Sequence, residues 1–219
     1  MQLVTPTIEN ISTWTTPIFV ANNADHEFLK DELLRFVYQQ QQKQTTNVAS
    51  QVAVEAKHAL FESELTFLEH AHPEVMELRR IFEELVAEVA FDVNRHAWPN
   101  EVEVEANVIE SWYHITQNGG YHDAHSHPNC SWCGIYYLDP GDASLEGRNG
   151  VNRFYDPRVN AAHYTDAGTA YLGTQGYWDF EPIEGQMVIF PSYLKHSALP
   201  YFGDKDRVVI AFNCIVDIY

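Results

Sequence analysis

The apolar residues of the chain change their spacing at Trp98-Pro99-Asn100, from a helical period before this point to alternation after it. Residues 25–41 and the segment that begins at Pro73 carry apolar side chains at every third or fourth position, which predicts two amphipathic helices. Pro73 suits the first turn of a helix, because its missing N–H has no partner there in any case. The polar stretch QQQQKQTTNVASQ, residues 39–51, lacks this period and predicts a loop.

The second part of the chain alternates apolar and polar residues, as a strand with one buried face does. The alternation begins in EVEVEANVIESWYHI, residues 101–115, and short apolar runs bounded by turn residues follow as CGIYYLD, TAYLG, GQMVIFP and RVVIAFNCIV. Several short strands without helices between them predict an antiparallel sandwich or barrel. We therefore expect an α+β, mainly β fold with one domain over residues 1–219, in which a helical part, 1–98, packs on a β-barrel core, 99–219.

The net charge of the chain limits the kinds of molecule that it is expected to bind. The chain has 13 Lys and Arg residues against 31 Asp and Glu residues, a formal net charge of −18 at pH 7. Because no basic patch interrupts this acidity, we expect no nucleic-acid partner. No stretch is apolar over the roughly 20 residues of a membrane span, and the first residues do not resemble a secretory signal. Three cysteines are too few for a disulfide framework, so we expect a cytoplasmic protein without a membrane partner.

A cluster of histidines, YHDAHSHPN at residues 121–129, is the main candidate for chemistry. His125 and His127 are two positions apart, so on an extended backbone their rings project to the same side and can bind one ion. His196 lies just beyond the strand GQMVIFP and is the third candidate ligand. Three protein ligands that leave coordination positions open suit a catalytic iron or zinc ion.

On an extended strand the two neighbouring residues His122 and Asp123 lie on opposite faces. His122 is on the opposite face from His125, so we expect its ring to point away from the metal. Asp123 is on the same face of the strand as His125, so its carboxylate is the one that could displace a histidine from the ligand set. We predict that His125, His127 and His196 are the metal ligands and that His122 and Asp123 are not, and the sequence leaves open whether Asp123 replaces one of these histidines.

Arg207 opens the apolar strand RVVIAFN, which we expect to run through the barrel. A guanidinium buried there needs an anionic partner, because an unpaired charge in a low-dielectric interior is costly. The partner is either one of the many acidic side chains or a dicarboxylate cosubstrate held by charge-assisted hydrogen bonds.

The order of these segments resembles a known family. GGYHDAHSHPN, GIYYLDPG, EGQMVIFPSYLKH and Arg207 follow one another as they do in the iron(II)- and 2-oxoglutarate-dependent oxygenases, and the Gly and Phe-Pro before a histidine are the most specific piece. The likeness is to the prolyl-hydroxylase-like and uncharacterised branches, and it covers roughly the second half of the chain. It implies a double-stranded β-helix, a jelly-roll or cupin-like barrel, with the N-terminal helices packed on it.

The resemblance also implies an activity. The family uses Fe(2+) and the cosubstrate 2-oxoglutarate, which leaves as succinate and CO2 while a substrate is hydroxylated. The substrate implied here is a small molecule or a peptide or protein side chain. In this reaction class the protein orients the reactants and excludes water, and the metal supplies the reactivity.

Four residues match the family's site by position. His125 and His196 match its two iron-binding histidines, Arg207 the arginine that binds the far carboxylate of 2-oxoglutarate, and Tyr137 the tyrosine that assists it. The chain departs from the wider superfamily at His127, where an aspartate or glutamate is usual. A three-histidine site carries one more unit of positive charge, which alters oxygen binding and redox behaviour.

Two other functions fit the same residues. One is a cupin-like metal-dependent dioxygenase or isomerase with three histidine ligands and no 2-oxoglutarate, and the other is a non-catalytic binding module. Arg207 distinguishes the cupin-like enzyme from a 2-oxoglutarate-dependent one, because only a dicarboxylate ligand explains a guanidinium that faces the metal.

Residues 139–168 are rich in Gly, Asn and Asp with interspersed aromatic residues, which predicts a long loop. Loops of this length often close over substrates. We expect Arg153, Phe154 and Tyr155 to lie on such a loop at the mouth of the pocket.

Overall fold

The computed structural model of the protein describes residues 15–46, 59–99, 101–158, 167–168 and 176–219. The helices and strands of these ranges are, in chain order, β1 (Phe19–Asn22), α1 (His26–Thr46), β2 (Leu60–Glu62), α2 (Pro73–Asn94), β3 (Val104–Thr116), β4 (His122–His125), β5 (Trp132–Asp139), β6 (Asn152–Tyr155), β7 (Tyr177–Phe180), β8 (Gln186–Pro191), β9 (His196–Ala198) and β10 (Arg207–Ile218). Two short 3-10 turns, Phe67–Glu69 and Glu146–Arg148, lie between them.

The strands form two antiparallel sheets. The larger sheet has the order β1-β8-β5-β10-β3-β2, and the smaller sheet has the order β4-β9-β6-β7. Residues of both sheets line one cavity, so the sheets face each other across it. The predicted mainly β architecture with antiparallel sheets is confirmed.

The two helices pack on the larger sheet. Phe82 of α2 stacks on Phe212 of β10, with ring centroids 4.3 Å apart, and both side chains are fully buried. Gly134 of β5 makes room for the Phe212 ring, because a Cβ at this position would lie 2.2 Å from it. The contact ties helix and sheet together through apolar burial.

The first helix is longer than its apolar period predicted. Residues 42–46 continue α1, so the loop prediction for residues 39–51 is wrong over that part. Gln and Lys have good helix propensity, and neither Gly nor Pro interrupts the run. The remainder of the predicted loop, 47–51, lies outside the described residues.

The part of the chain before residue 99 is not helical throughout, which corrects the prediction for residues 1–98. β1 pairs with β8 and β2 pairs with β3, so both add to edges of the larger sheet. Each is a short strand, and three or four residues are too few for alternation to identify. That residues 1–219 form a single domain stays a prediction.

The strand predictions for residues 101–115, CGIYYLD, GQMVIFP and RVVIAFNCIV are confirmed by β3, β5, β8 and β10. The predicted strand TAYLG, residues 169–173, lies outside the described residues. Neither helix among the described residues combines the length and the apolar character needed to cross a membrane.

Candidate active site

Three histidines converge at one end of the smaller sheet. His125, the last residue of β4, is the register partner of His196, the first residue of β9. His127 follows β4, and its backbone N–H donates to the carbonyl of Ser192 at 3.1 Å. The ligand atoms of the three histidines all lie within 4.8 Å of one another, and the Nε2 atoms of His127 and His196 are 3.4 Å apart.

The hydrogen bonds of two of these rings leave the same nitrogen available. His125 donates its Nδ1 proton to the carbonyl of Asp123 at 2.7 Å, and His196 donates its Nδ1 proton to the carbonyl of Leu194 at 3.0 Å. Because a neutral imidazole carries one proton, both rings present the Nε2 lone pair, as metal-binding histidines do. The donor set therefore fits a metal ion.

The surroundings of the rings also suit metal binding. Burial lowers the pKa of His196 to about 3, and the nearby His125 ring adds to the effect. Burial lowers the pKa of His127 to about 4. Both rings are therefore neutral at pH 7, which is the form that coordinates metals. The indole of Trp112 packs beside His127, with centroids 5.4 Å apart.

Asp123 contributes its backbone rather than its side chain to this arrangement. Its residue is exposed, and its carbonyl oxygen accepts from the rings of both His122 and His125. The Asp123 carboxylate is in none of the groups of potential metal ligands among the described residues. The assignment of His125, His127 and His196 as the ligands stays a prediction, and this geometry supports it.

The expectation that His122 points away from His125 is wrong. The two ring centroids are 4.2 Å apart, and both residues line the same cavity. In the pairing of β4 with β9, His122 is opposite Ala198 and His125 is opposite His196, so the register shifts between them. Such a bulge breaks the alternation on which the prediction rested.

The cavity between the two sheets encloses about 430 Å³, part of it open to solvent. The three histidines lie on its wall together with Arg207, which is on the first position of β10. The residues of the larger sheet that line it include Trp112, His114, Ile135, Val209 and Ala211.

Arg207 is a buried charge with neutral surroundings. Its residue is 1% exposed, its Nη2 donates to Oδ1 of Asn152 at 2.7 Å, and its Nε has no hydrogen-bond partner among the described residues. No Asp or Glu of these residues forms a salt bridge with it. Burial lowers the pKa of Arg207 from its ordinary value, yet a guanidinium stays charged in proteins. The predicted alternative of an ion pair with an acidic side chain is therefore absent from the described residues.

Tyr137 and Asn152 hold this guanidinium. The Tyr137 hydroxyl donates to Oδ1 of Asn152 at 2.8 Å, and the Tyr137 ring centroid is 5.7 Å from Cζ of Arg207. Asn152 thus accepts hydrogen bonds from both residues through one oxygen. Sequence reasoning missed Asn152, because a single asparagine in a loop-like segment carries no signal.

The segment with Arg153, Phe154 and Tyr155 is a strand, β6, and not part of a loop as predicted. It pairs with β9 and places Phe154 opposite His196, where Phe154 is buried. Arg153 makes a bidentate pair with Asp179 at 2.6 and 2.8 Å. A strand of four residues without clear alternation is not separable from loop in the sequence, and long-range pairing decides it. Residues 159–166 of the predicted loop lie outside the described residues.

A comparison with known protein families identifies the region of the chain that contains this site. Residues 110–213 match the model of a family described as putative 2OG-Fe(II) oxygenase, in which 2OG stands for 2-oxoglutarate. The match includes the three histidines and Arg207. No curated protein matches the chain significantly in sequence.

Solved structures of similar architecture include several enzymes that use 2-oxoglutarate. A prolyl-4-hydroxylase of Pseudomonas putida has a TM-score of 0.54 at 14% identity, over 91% of this chain and 93% of that one. HygX of Streptomyces hygroscopicus, with nickel and 2-oxoglutarate bound, has a TM-score of 0.56 at 12% identity, over 91% and 83%. SnoN, a non-haem alpha-ketoglutarate-dependent epimerase of nogalamycin biosynthesis, has a TM-score of 0.58 at 11% identity, over 91% and 78%. At these identities the likeness shows the fold, and the predicted double-stranded β-helix is confirmed.

Proposed function

We propose, on the premise that the chain belongs through residues 110–213 to the putative 2OG-Fe(II) oxygenases, that it hydroxylates an organic substrate with release of succinate and CO2. Membership of this family makes the protein an oxidoreductase whose metal is iron(II) and whose cosubstrate is 2-oxoglutarate. The hydroxylation itself and the substrate are the proposed part. For the substrate we propose a peptide or protein side chain, because GIYYLDPG resembles the prolyl-hydroxylase-like branch.

The observation that carries the proposal is the buried guanidinium of Arg207. A charge that is 1% exposed and that donates to a neutral amide oxygen, Oδ1 of Asn152, is costly to bury. A carboxylate ligand in the cavity would neutralise it through bidentate, charge-assisted hydrogen bonds. The far carboxylate of 2-oxoglutarate has the charge and the geometry for this role.

The residues of the cavity divide the remaining tasks. His125, His127 and His196 would hold iron(II) through their Nε2 atoms, and Arg207 would bind the far carboxylate, with Tyr137 and Asn152 as its supports. When bound, the metal and the cosubstrate supply the oxidising chemistry. The apolar side chains of the larger sheet exclude water from the cavity and orient the ligands. The assignment of Tyr137 and Arg207 to the cosubstrate is part of the proposal.

A cupin-like dioxygenase or isomerase without 2-oxoglutarate is the second candidate. The three-histidine ligand set favours it, because the usual carboxylate of the superfamily is absent at His127. The lack of an acidic partner for Arg207 among the described residues weighs against it, since such an enzyme would have no use for an open guanidinium on the cavity wall. A non-catalytic binding module would use the same guanidinium for a carboxylate ligand, and it would be identified by 2-oxoglutarate binding without succinate formation.

The deciding experiment measures 2-oxoglutarate turnover and binding. Purified protein with iron(II) and oxygen is expected to convert 2-oxoglutarate to succinate, at a slow rate without the substrate, as followed by NMR. Arg207→Ala should weaken calorimetric binding of 2-oxoglutarate by about 3 kcal/mol, roughly a hundredfold, and leave the iron content nearly unchanged. Succinate formation or 2-oxoglutarate affinity that is unaffected by Arg207→Ala would exclude this role of the arginine.

The location and the partners stay proposals. We propose a cytoplasmic protein that binds neither nucleic acid nor membranes. A net charge of −18 supports the absence of a nucleic-acid partner, and the free state of Cys130, Cys133 and Cys214 is compatible with a reducing compartment. Fractionation of the native host cells and a filter-binding assay with DNA and RNA test the two points.

A further inference from the structure

A second group of potential ligands lies beside the three-histidine group. Glu62 of β2 and His114 of β3 are register partners in the larger sheet, and His122 begins β4 of the smaller sheet. Oε2 of Glu62 is 2.8 Å from Nε2 of His114 and 3.4 Å from Nε2 of His122. The ligand atoms of the three residues all lie within 4.8 Å of one another. Three separate strands therefore bring two imidazoles and a carboxylate to one point.

This group is largely shielded from solvent. The side chains of His114, His122 and Glu62 are 11%, 12% and 21% exposed. An ion held between them would exchange part of its water shell for protein ligands, which distinguishes the group from acidic clusters on an exposed surface.

The hydrogen bond of His122 leaves a lone pair available near the carboxylate. Nδ1 of His122 is 3.1 Å from the carbonyl oxygen of Asp123, and a carbonyl only accepts, so the proton of the neutral ring is on Nδ1. In that neutral form Nε2, 3.4 Å from Oε2 of Glu62, has its lone pair free for a metal ion. A metal ion between these two atoms would be coordinated by both.

We propose that Glu62, His114 and His122 form a second metal site, distinct from the three-histidine group, that binds a first-row divalent cation, with Zn2+ as the best fit. Two imidazole nitrogens and one carboxylate oxygen are a common ligand set for zinc with a fourth position open. His114 and His122 both line the cavity between the sheets, so the open position faces the same space as the three histidines. This inference goes beyond the proposed function and does not rest on it.

A third group of the same residue types shows why this one is preferred. His26, Glu27 and Glu184 also bring their ligand atoms within 4.8 Å of one another. There Nζ of Lys30 lies 2.8 Å from Glu184, and a cation of the protein already neutralises the carboxylate. In the Glu62 group the carboxylate lies against two imidazoles, with Oε2 at 2.8 Å from His114 and 3.4 Å from His122.

The test is the number of zinc ions that the metal-free full-length protein binds at pH 7.5, measured by calorimetric titration and by elemental analysis after gel filtration. The wild-type protein is expected to bind one equivalent more than Glu62→Gln, which keeps the size and hydrogen bonding of the side chain and removes its charge. His122→Ala should lose the same equivalent. Glu64→Gln, a matched change two residues away, should bind as many ions as the wild type. Unchanged melting temperatures show that the variants are folded.

Two results would overturn the proposal. One is a wild-type protein that binds no more zinc than Glu62→Gln, which means that a proton and not a metal joins the three side chains. The other is an equal loss of zinc in Glu62→Gln and Glu64→Gln, which means that the overall charge and not this group controls binding. Neither result depends on 2-oxoglutarate or on turnover. The three-histidine site is counted separately. His125→Ala should lose one equivalent of zinc that Glu62→Gln retains.

Discussion

Arg207 and Asn152 place a buried charge beside a neutral hydrogen-bond acceptor. An acidic partner would neutralise the guanidinium but would also compete with any carboxylate that enters the cavity. Asn152 avoids this competition, because its amide oxygen accepts a hydrogen bond from Arg207 without carrying a charge. The Tyr137 hydroxyl fixes the same oxygen.

Asn152→Asp tests this interpretation directly. The new carboxylate would lie at the position of Oδ1, 2.7 Å from Nη2 of Arg207, and form an internal ion pair. We expect the affinity for 2-oxoglutarate to fall at least about tenfold, or about 1.4 kcal/mol, without a lower melting temperature. Asn107→Asp on β3, outside the cavity lining, is the matched change in charge and should leave the affinity unaltered. An affinity that survives Asn152→Asp would contradict the role given to the open charge.

His127 and Asp123 are the two residues between which the ligand set is decided. His127→Ala is expected to lower iron occupancy sharply, because it removes one of three ligands, and Asp123→Ala should change it little, because the Asp123 carbonyl and not its carboxylate supports His125. His127→Asp restores the usual carboxylate and should still bind iron(II). Iron content is measured after anaerobic reconstitution in a Glu62→Gln background, so that one site is counted. Full occupancy in His127→Ala with loss in Asp123→Ala would make Asp123 the ligand.

The bulge in β4 has the largest consequence at the scale of elements. Between His122 and His125 the strand has one residue more than its partner β9, and this turns both rings to the cavity. Without the bulge His122 would face outward, away from Glu62 and His114. β6 has a comparable effect, because it carries Asn152 into hydrogen-bonding distance of Arg207.

The connection over residues 139–168 is expected to respond to ligands as a lid does. Its ends flank β6, so iron(II) and 2-oxoglutarate in the cavity should slow proteolysis of the segments on either side of this strand, and β6 itself should resist cleavage in both states. Limited proteolysis followed by mass spectrometry of the fragments locates the cuts. Cleavage that is identical with and without both ligands would remove the lid assignment for the segments that flank β6.

At the scale of the whole molecule the site is formed between two sheets that have different support. The larger sheet is backed by α1 and α2, through contacts such as Phe82 on Phe212. The smaller sheet contributes His125 and His196, and the larger sheet contributes Arg207. A ligand bound to both sides therefore links the two sheets.

Iron(II) and 2-oxoglutarate should accordingly raise the melting temperature. A ligand at one hundred times its Kd stabilises the folded state by about 2.7 kcal/mol, which for a chain of this length corresponds to about 5–10 °C. Anaerobic differential scanning fluorimetry measures the shift. In Arg207→Ala the increment from the metal should remain and the increment from 2-oxoglutarate should disappear. A wild-type protein whose melting temperature is indifferent to saturating 2-oxoglutarate would contradict binding in this cavity.

The sequence by itself determined the features that are recorded locally along the chain. The change of apolar period identified α2, β3, β8 and β10, because periodicity reflects which face of an element is buried. The histidines at 125, 127 and 196 and Arg207 were identifiable as candidates from their spacing and from the segments around them.

Tertiary structure decided what depends on residues far apart in sequence. The register of β4 against β9 turned His122 inward, and the pairing of β2 with β3 brought Glu62 to His114. Asn152 reached Arg207 because β6 is a strand of the facing sheet. A local pattern contains no information on register or on which sheets face each other, since both are set by the packing of the whole core.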